Sequence, residues 1–226
     1  VRLLAETAVA ATGTTGDFTL TTDTGQVVRA RKLLFATGVR DHLPAQPGFA
    51  ECWGISVIHC PYCHGYEYRQ QPTGTLLNGD EALQHARLLR QWTTQLTIFT
   101  NGPATFSPEQ WAQIARAGIS VEQTPVQALQ HHAGHLTHVV LADGRLVDLA
   151  ALYLRPGMSQ HCLLPQNLGC AYTEAGYLQV DGMQQTSVPG IYAAGDATTP
   201  MRTLSMAVAG GTIAGVALNH ELLPGW

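Results

Sequence analysis

The tetrapeptide Cys60-Pro61-Tyr62-Cys63 carries the most definite chemistry in this sequence. Two cysteines separated by two residues can close a disulfide across a single turn. At the start of a helix the dipole lowers a thiol pKa and yields a reactive thiolate. His64 follows directly, and an imidazole that titrates near neutrality can carry a proton during thiol–disulfide exchange. Without the motif, His64 would read as an ordinary surface or core histidine. The same cysteines could form half of a zinc site with Cys52, His59 or His64. Structural zinc sites bring a second Cys-X-X-Cys or His pair at fixed spacing, and the sequence has none, so redox chemistry is expected and no metal site is assigned. Glutaredoxin-like proteins carry such a tetrapeptide after the first strand of a much shorter chain; here it follows a Pro-rich crossing.

Other candidates are weaker. The five cysteines are an odd number, which excludes a fully paired disulfide scaffold. Cys162 and Cys170 read as apolar fillers. His131, His132, His135 and His138 look metal-like, but their polar, Gly-containing stretch reads as a solvated hairpin.

The elements that must position these residues can be read along the chain. Residues 17 to 35 alternate with period two, and Asp23-Thr24-Gly25 is a hairpin turn. Lys32 to Ala36 is a short buried strand ending at Thr37-Gly38, and the segment Leu43 to Gly48 reads as a domain crossing. A strand at Thr75 to Leu77, a helix over 81–92 and a strand at Gln95 to Phe99 form a β-α-β unit. Ser107-Pro108-Glu109 opens a second helix with a good N-cap. Short strands are expected at 119–121, 138–141, 151–154 and 176–181, a buried strand over Ile191 to Ala194, and an Ala/Gly-rich helix from Thr203 to about Leu218.

Composition bounds the whole. The 226 residues are 45% hydrophobic and only 12% charged, against ~25% in an average soluble domain. The formal net charge of -4, with Lys32 as the single lysine, argues against nucleic-acid or anionic-membrane partners. No apolar run approaches the ~20 residues of a membrane span. Arg2 and Glu6 flank only short apolar stretches, unlike a signal peptide, and a cytoplasmic location is expected.

Two further motifs carry a resemblance. Ala36-Thr37-Gly38 and Ile191-Tyr192-Ala193-Ala194-Gly195-Asp196 are each common alone. In this order, with a Cys-X-X-Cys between them, the chain resembles the low-molecular-weight thioredoxin reductases and their FAD-dependent pyridine nucleotide-disulfide oxidoreductase relatives, from about Phe18 to Leu222. The resemblance implies that Thr37 and Gly38 end a crossing strand beside the flavin. It implies that Gly195 and Asp196 hold the flavin chain, the aspartate on a ribityl hydroxyl. The segment next to the isoalloxazine falls on Arg202, Thr203 and Leu204, where a helix start would favour an anionic reduced flavin. The run Cys60 to Glu67, with histidine directly after the second cysteine, resembles the gliotoxin- and holomycin-type dithiol oxidases; thioredoxin reductases usually carry an aspartate shortly after it. By that resemblance Cys63 faces the flavin, Cys60 exchanges with the substrate and His64 is the acid/base.

The sequence also departs from the family. Its NADPH-binding Gly-X-Gly-X-X-Ala turn aligns with Leu77-Asn78-Gly79-Asp80-Glu81-Ala82. Leucine replaces the first glycine, and two carboxylates stand where a pyrophosphate should approach. No basic residue follows from Thr100 until Arg116, so NADPH is not expected to bind. Residues 1 to 16 hold only Gly13 and Gly16, without the Gly-X-Gly-X-X-Gly that cradles the FAD pyrophosphate.

The expected fold is α/β, with two Rossmann-like three-layer domains. An FAD-type domain, incomplete at its N-terminus through loss of a βαβ unit, comprises 1–46 and 158–226, and an inserted NAD(P)-type domain with the cysteine pair spans 47–157. The expected function is movement of two electrons between a dithiol or disulfide substrate, small molecule or protein, and FAD, with O2 as a possible acceptor. The missing cradle sets against FAD binding by this chain alone, and a homodimer is implied only by the family. The alternative is a cofactor-free scaffold acting as a binding module.

Overall fold

The computed structural model describes residues 1–223, so the last three residues of the expected 158–226 segment lie outside it. It divides into two compact units: residues 42–157, and residues 1–41 together with those from 158 onward.

In the first of these, five parallel strands lie in the order Val57–Ile58, Ala151–Tyr153, Thr73–Leu76, Leu96–Phe99, Ser120–Glu122. The helices Gly79–Leu89 and Pro108–Arg116 make the crossovers between the last three. Strand alternation divides the core in two. Ile58, Ile98, Ala151 and Tyr153 pack on the helices with Ala82, Ala86, Leu89 and Ile114. Val57, Phe99 and Leu152 face the other way, towards an antiparallel sheet of Val126–His132, His135–Leu141 and Leu146–Asp148. The result is three layers, helices over a parallel sheet over a meander, and it is Rossmann-like. The second helix begins as its sequence requires. Ser107 Oγ accepts the Gln110 N–H at 3.3 Å, Gln110 Oε1 accepts the Ser107 N–H at 2.8 Å, and Pro108 occupies the first helical position.

One polar side chain is sealed inside this unit. His85, fully buried on the helix Gly79–Leu89, has Nδ1 2.9 Å from Thr75 Oγ1 and meets the Tyr153 ring edge-on at 5.8 Å. Its Nε2 has no hydrogen-bond partner. Burial, and secondarily the charge of Arg155, push its pKa down to about 4.

The other unit opens with an antiparallel meander, Ala8–Thr14, Asp17–Thr22 and Val27–Ala30. The strand Leu33–Phe35 then pairs in parallel with Ile191–Ala193, matching Leu33 with Ile191 and Phe35 with Ala193. Phe18, Leu33, Phe35, Leu178 and Ile191 form its core with Cys170. The helix Leu204–Leu222 buries only Gly210, Ala214 and Ala217, a stripe of small residues that lets it approach Ala194 closely. Glu221 ties its far end to Lys32 and to the Tyr192 hydroxyl. The strand expected over 176–181 is absent; isolated bridges, Tyr172 to Leu178 and Val180 to Thr186, stand in its place. Asp181 explains the difference, since its Oδ1 accepts the N–H groups of Met183 and Gln185 and bends the chain back at once. Among the described residues no helix is long and apolar enough to cross a membrane.

Candidate functional site

In the unit 42–157 the cysteine pair follows the strand Val57–Ile58 and opens a single helical turn, Pro61–His64. Cys60 is its N-cap, extended at φ -113°, and its Sγ accepts the Cys63 N–H at 3.2 Å. Pro61, with no N–H to satisfy, takes the first helical position. Both sulfurs are thiols; Cys60 is half-buried and Cys63 exposed. The Cys63 thiol is pushed up to about 11, first by its hydrogen bond to Cys60 and then by burial and by the Cys60 charge. Cys60 is the sulfur that accepts a backbone hydrogen bond at this helix start.

The residues around the pair are closely braced. Gly65 is required by packing, because a Cβ there would lie 2.3 Å from Trp92 Nε1 and 2.4 Å from the Pro61 carbonyl oxygen. His64 Nδ1 lies 3.0 Å from Glu67 Oε2. Tyr62 and Tyr66 are exposed, and the Arg69 guanidinium lies 3.8 Å over the Tyr66 ring. Tyr153 is buried in the sheet, and burial pushes its hydroxyl up, reinforced by Tyr68, Cys60, Glu67 and Cys63. Cys52 lies in the apolar core, where burial raises its thiol above the ordinary range.

The same unit contains the turn between Thr73–Leu76 and the helix Gly79–Leu89. Asn78 caps that helix: its Oδ1 accepts the Gly79 N–H at 2.8 Å and the Thr105 N–H at 3.0 Å, while Nδ2 donates to the Pro103 carbonyl at 2.9 Å. Gly79 has φ 60°, and a Cβ on it would lie 2.8 Å from Thr105 Oγ1. Gln110 Nε2 donates to Asp80 Oδ1, so the first acidic residue of the turn is held from the next helix.

In the other unit, the carboxyl ends of Leu33–Phe35 and Ile191–Ala193 open onto a cavity of about 290 Å³ lined by Ala36, Gly38, Ala194, Gly195, Asp196 and Gly211. Gly195 turns the chain at φ 77° and so presents Asp196. Thr37 lines a neighbouring cavity of about 750 Å³ with Leu34, His161 and Cys162, and its buried Oγ1 has no hydrogen-bond partner. Arg202 forks onto Asp41, with Nη1 to Oδ1 at 2.7 Å and Nη2 to Oδ2 at 2.8 Å, which raises its pKa. Its Nε lies 3.7 Å from Asp196 Oδ2. Thr203 caps the long helix, its Oγ1 accepting the Met206 N–H at 3.2 Å, and Leu204 is 82% exposed just after it.

Thus Gly38, Gly195 and Asp196 line one cavity with Arg202 reaching Asp196, and Cys60, Cys63 and His64 share one turn. Sequence reasoning assigned no role to Asp41 or Glu67. Glu67 had a local signal, three residues after His64; Asp41, 161 positions from its partner, had none.

The family model for pyridine nucleotide-disulphide oxidoreductases matches residues 1–211. The chain belongs to this family. It is 30% identical over 226 residues to thioredoxin reductase sirT of Leptosphaeria maculans, an alignment covering 93% of this chain and 69% of the relative. Among solved structures, the oxidoreductase from Agrobacterium tumefaciens superposes with a TM-score of 0.87 at 36% identity, over 97% of this chain and 74% of that one. The Bacillus anthracis protein solved under the name thioredoxin reductase TrxB superposes at 0.89 with 29% identity, over 98% and 75%. The resemblance to thioredoxin reductases therefore stands, and the chain is a thioredoxin reductase-like oxidoreductase of a family that uses FAD.

Proposed function

We propose that this chain moves two electrons between a dithiol or disulfide and FAD through Cys60 and Cys63, without NADPH. The observation that carries the reading is the cysteine turn itself: Cys60 Sγ receives the Cys63 N–H, and His64 follows at once. Cys60, the sulfur that accepts the backbone N–H, is then the one that exchanges with the substrate, and His64 takes and returns the proton of Cys63. Oxidation of a dithiol proceeds by attack of one substrate thiolate on Cys60 of the disulfide, releasing Cys63. The second substrate thiolate then attacks the mixed disulfide and releases Cys60, so two electrons pass to the pair.

The unit with the cavity at the strand ends is read as the FAD-type domain, and residues 42–157 as the inserted NAD(P)-type domain. The Asp196 carboxylate in this cavity supports a fit to the ribityl end of the cofactor, and the unpaired Thr37 hydroxyl offers a further polar group in the neighbouring cavity. Arg202 steadies Asp196, and Thr203 orients the helix start behind Leu204. When bound, FAD supplies a two-electron relay between the thiols and dioxygen. A nicotinamide dinucleotide does not fit the turn at Asn78, because its phosphates would need the helix N–H that Asn78 takes and the space closed by Thr105.

Absorbance of the FAD-titrated chain tests this. A dithiol should bleach the flavin band and NADPH should not; a Cys60→Ser variant should lose the dithiol response. Parental bleaching by the Cys60→Ser variant sinks the assignment of the pair, and bleaching by NADPH sinks the assignment of the turn. A chain that never acquires a flavin band is the scaffold alternative.

A further inference from the structure

His64 and Glu67 are joined twice. The Glu67 N–H donates to the His64 carbonyl at 3.2 Å, closing the turn after the helical residues, and the two side chains meet at 3.0 Å through Nδ1 and Oε2. An ionised carboxylate only accepts, so the proton in the side-chain bond belongs to Nδ1. In the neutral ring Nε2 then bears the lone pair, and it has no hydrogen bond among the described residues. The turn holding both residues is itself fastened. The Arg69 guanidinium donates to the Tyr66 carbonyl at 2.8 Å, and Gln71 Nε2 donates to that of Glu67 at 3.2 Å. The Glu67 side chain is 62% exposed, so its pairing adds little to folding. What it does fix is the orientation and tautomer of the imidazole.

We propose that Glu67 is a positioning residue for the redox pair, holding His64 with the proton on Nδ1 so that Nε2 takes the proton of Cys63. The proposal rests on the reading of His64 as the proton carrier. The step can be followed without flavin, with an aromatic disulfide as electron acceptor. Cys60 gives its proton to solvent, its Sγ attacks the probe, the probe's S–S bond breaks, one aromatic thiolate leaves and a mixed disulfide remains. Nε2 takes the Cys63 proton, Cys63 Sγ attacks the Cys60 sulfur, the Cys60–Cys63 bond forms and the second aromatic thiolate leaves. Two electrons pass from the pair to the probe, and the imidazolium, faced by the Glu67 carboxylate, gives its proton to solvent.

The experiment mixes the reduced whole chain with stoichiometric 5,5′-dithiobis(2-nitrobenzoic acid) at neutral pH and resolves the two thiolate releases by stopped-flow absorbance. A Cys60→Ser/Cys63→Ser chain supplies the background from the other cysteines. Glu67→Ala should slow the second release about tenfold or more, the scale on which a metal-ligating histidine suffers from losing its orienting carboxylate. Its first release and thermal midpoint should stay parental, with Glu67→Gln between the two. His64→Ala should slow the second release at least as much, and adding Glu67→Ala to it should change nothing further. A parental second release in Glu67→Ala, beside a slow one in His64→Ala, overturns the role of Glu67 alone. A parental rate in His64→Ala overturns the reading of His64 beneath it. A slowing of both releases together with a lowered midpoint makes Glu67 merely structural, which also overturns the proposal.

Discussion

Replacing His85 and Thr75 together, as His85→Leu/Thr75→Val, should remove a defined part of the chain's acid sensitivity. His85 titrates at about 4 in the folded chain because burial, aided by Arg155, disfavours its charged form; its ordinary value is 6.5. Above 6.5 neither the folded nor the unfolded state protonates it, and it leaves stability unchanged. Between 6.5 and about 4 the unfolded chain takes up a proton that the folded chain refuses, so stability falls as pH falls. Each tenfold difference in proton affinity is worth about 1.4 kcal/mol, and the full loss amounts to about 3 kcal/mol. Below about 4 both states are protonated and the loss no longer grows. Leucine and valine remove both polar partners at similar volume, so the double variant should lie within about 1 kcal/mol of the parent at pH 7. Carboxylates titrate alike in both proteins and cancel in the comparison. Urea unfolding followed by tryptophan fluorescence suits the test, since Trp53, Trp92 and Trp111 all lie in the unit 42–157. The variant should gain about 3 kcal/mol on the parent between pH 7 and pH 4. Parallel stability–pH curves for the two proteins would refute the reasoning.

Two further substitutions probe the candidate sites. Gly65→Ala should destabilise the chain by about 1–3 kcal/mol, because the new Cβ meets the Trp92 indole and the Pro61 carbonyl and both must move; a urea midpoint within error of the parent would contradict the packing at the cysteine turn. Asp41→Ala should cost about 3 kcal/mol by leaving the Arg202 guanidinium, only 17% exposed, without its bidentate partner. Adding Arg202→Ala should recover part of that loss, and a double-mutant cycle that sums without coupling would show that the pair does not hold the segment before the long helix.

The local chemistry of the sequence was directly legible. The Cys-X-X-Cys pair was found by its spacing, and the Ser107-Pro108 signal was an N-cap because the backbone N–H groups of a first turn need a nearby acceptor wherever the helix sits. The β-α-β spacing over residues 73–99 worked for a similar reason: apolar periodicity reports the face an element buries. Failures came where a pairing strand or a side chain outside the periodic pattern decided the outcome. Ala8–Thr14 offers one valine among alanines, a glycine and threonines, with no alternation to read, and is a strand because Asp17–Thr22 pairs with it. Residues 176–181 alternate plausibly, yet Asp181 spends its carboxylate on the following turn and no ladder forms.

The same division runs through the candidate sites. By itself the sequence determined the cysteine spacing, the histidine beside it and the leucine, Leu77, before Asn78, since these depend on residue identity and a few neighbouring positions. Only the tertiary structure decided that Asn78 stitches the loop at Pro103 and Thr105 across the helix start, that Arg202 is committed to Asp41, and that His85 is sealed without a partner for Nε2. Each of these depends on bringing together residues far apart in the chain or on excluding water from a side chain. Burial and partner choice belong to the packed fold, where the energy of a polar group is set by what surrounds it.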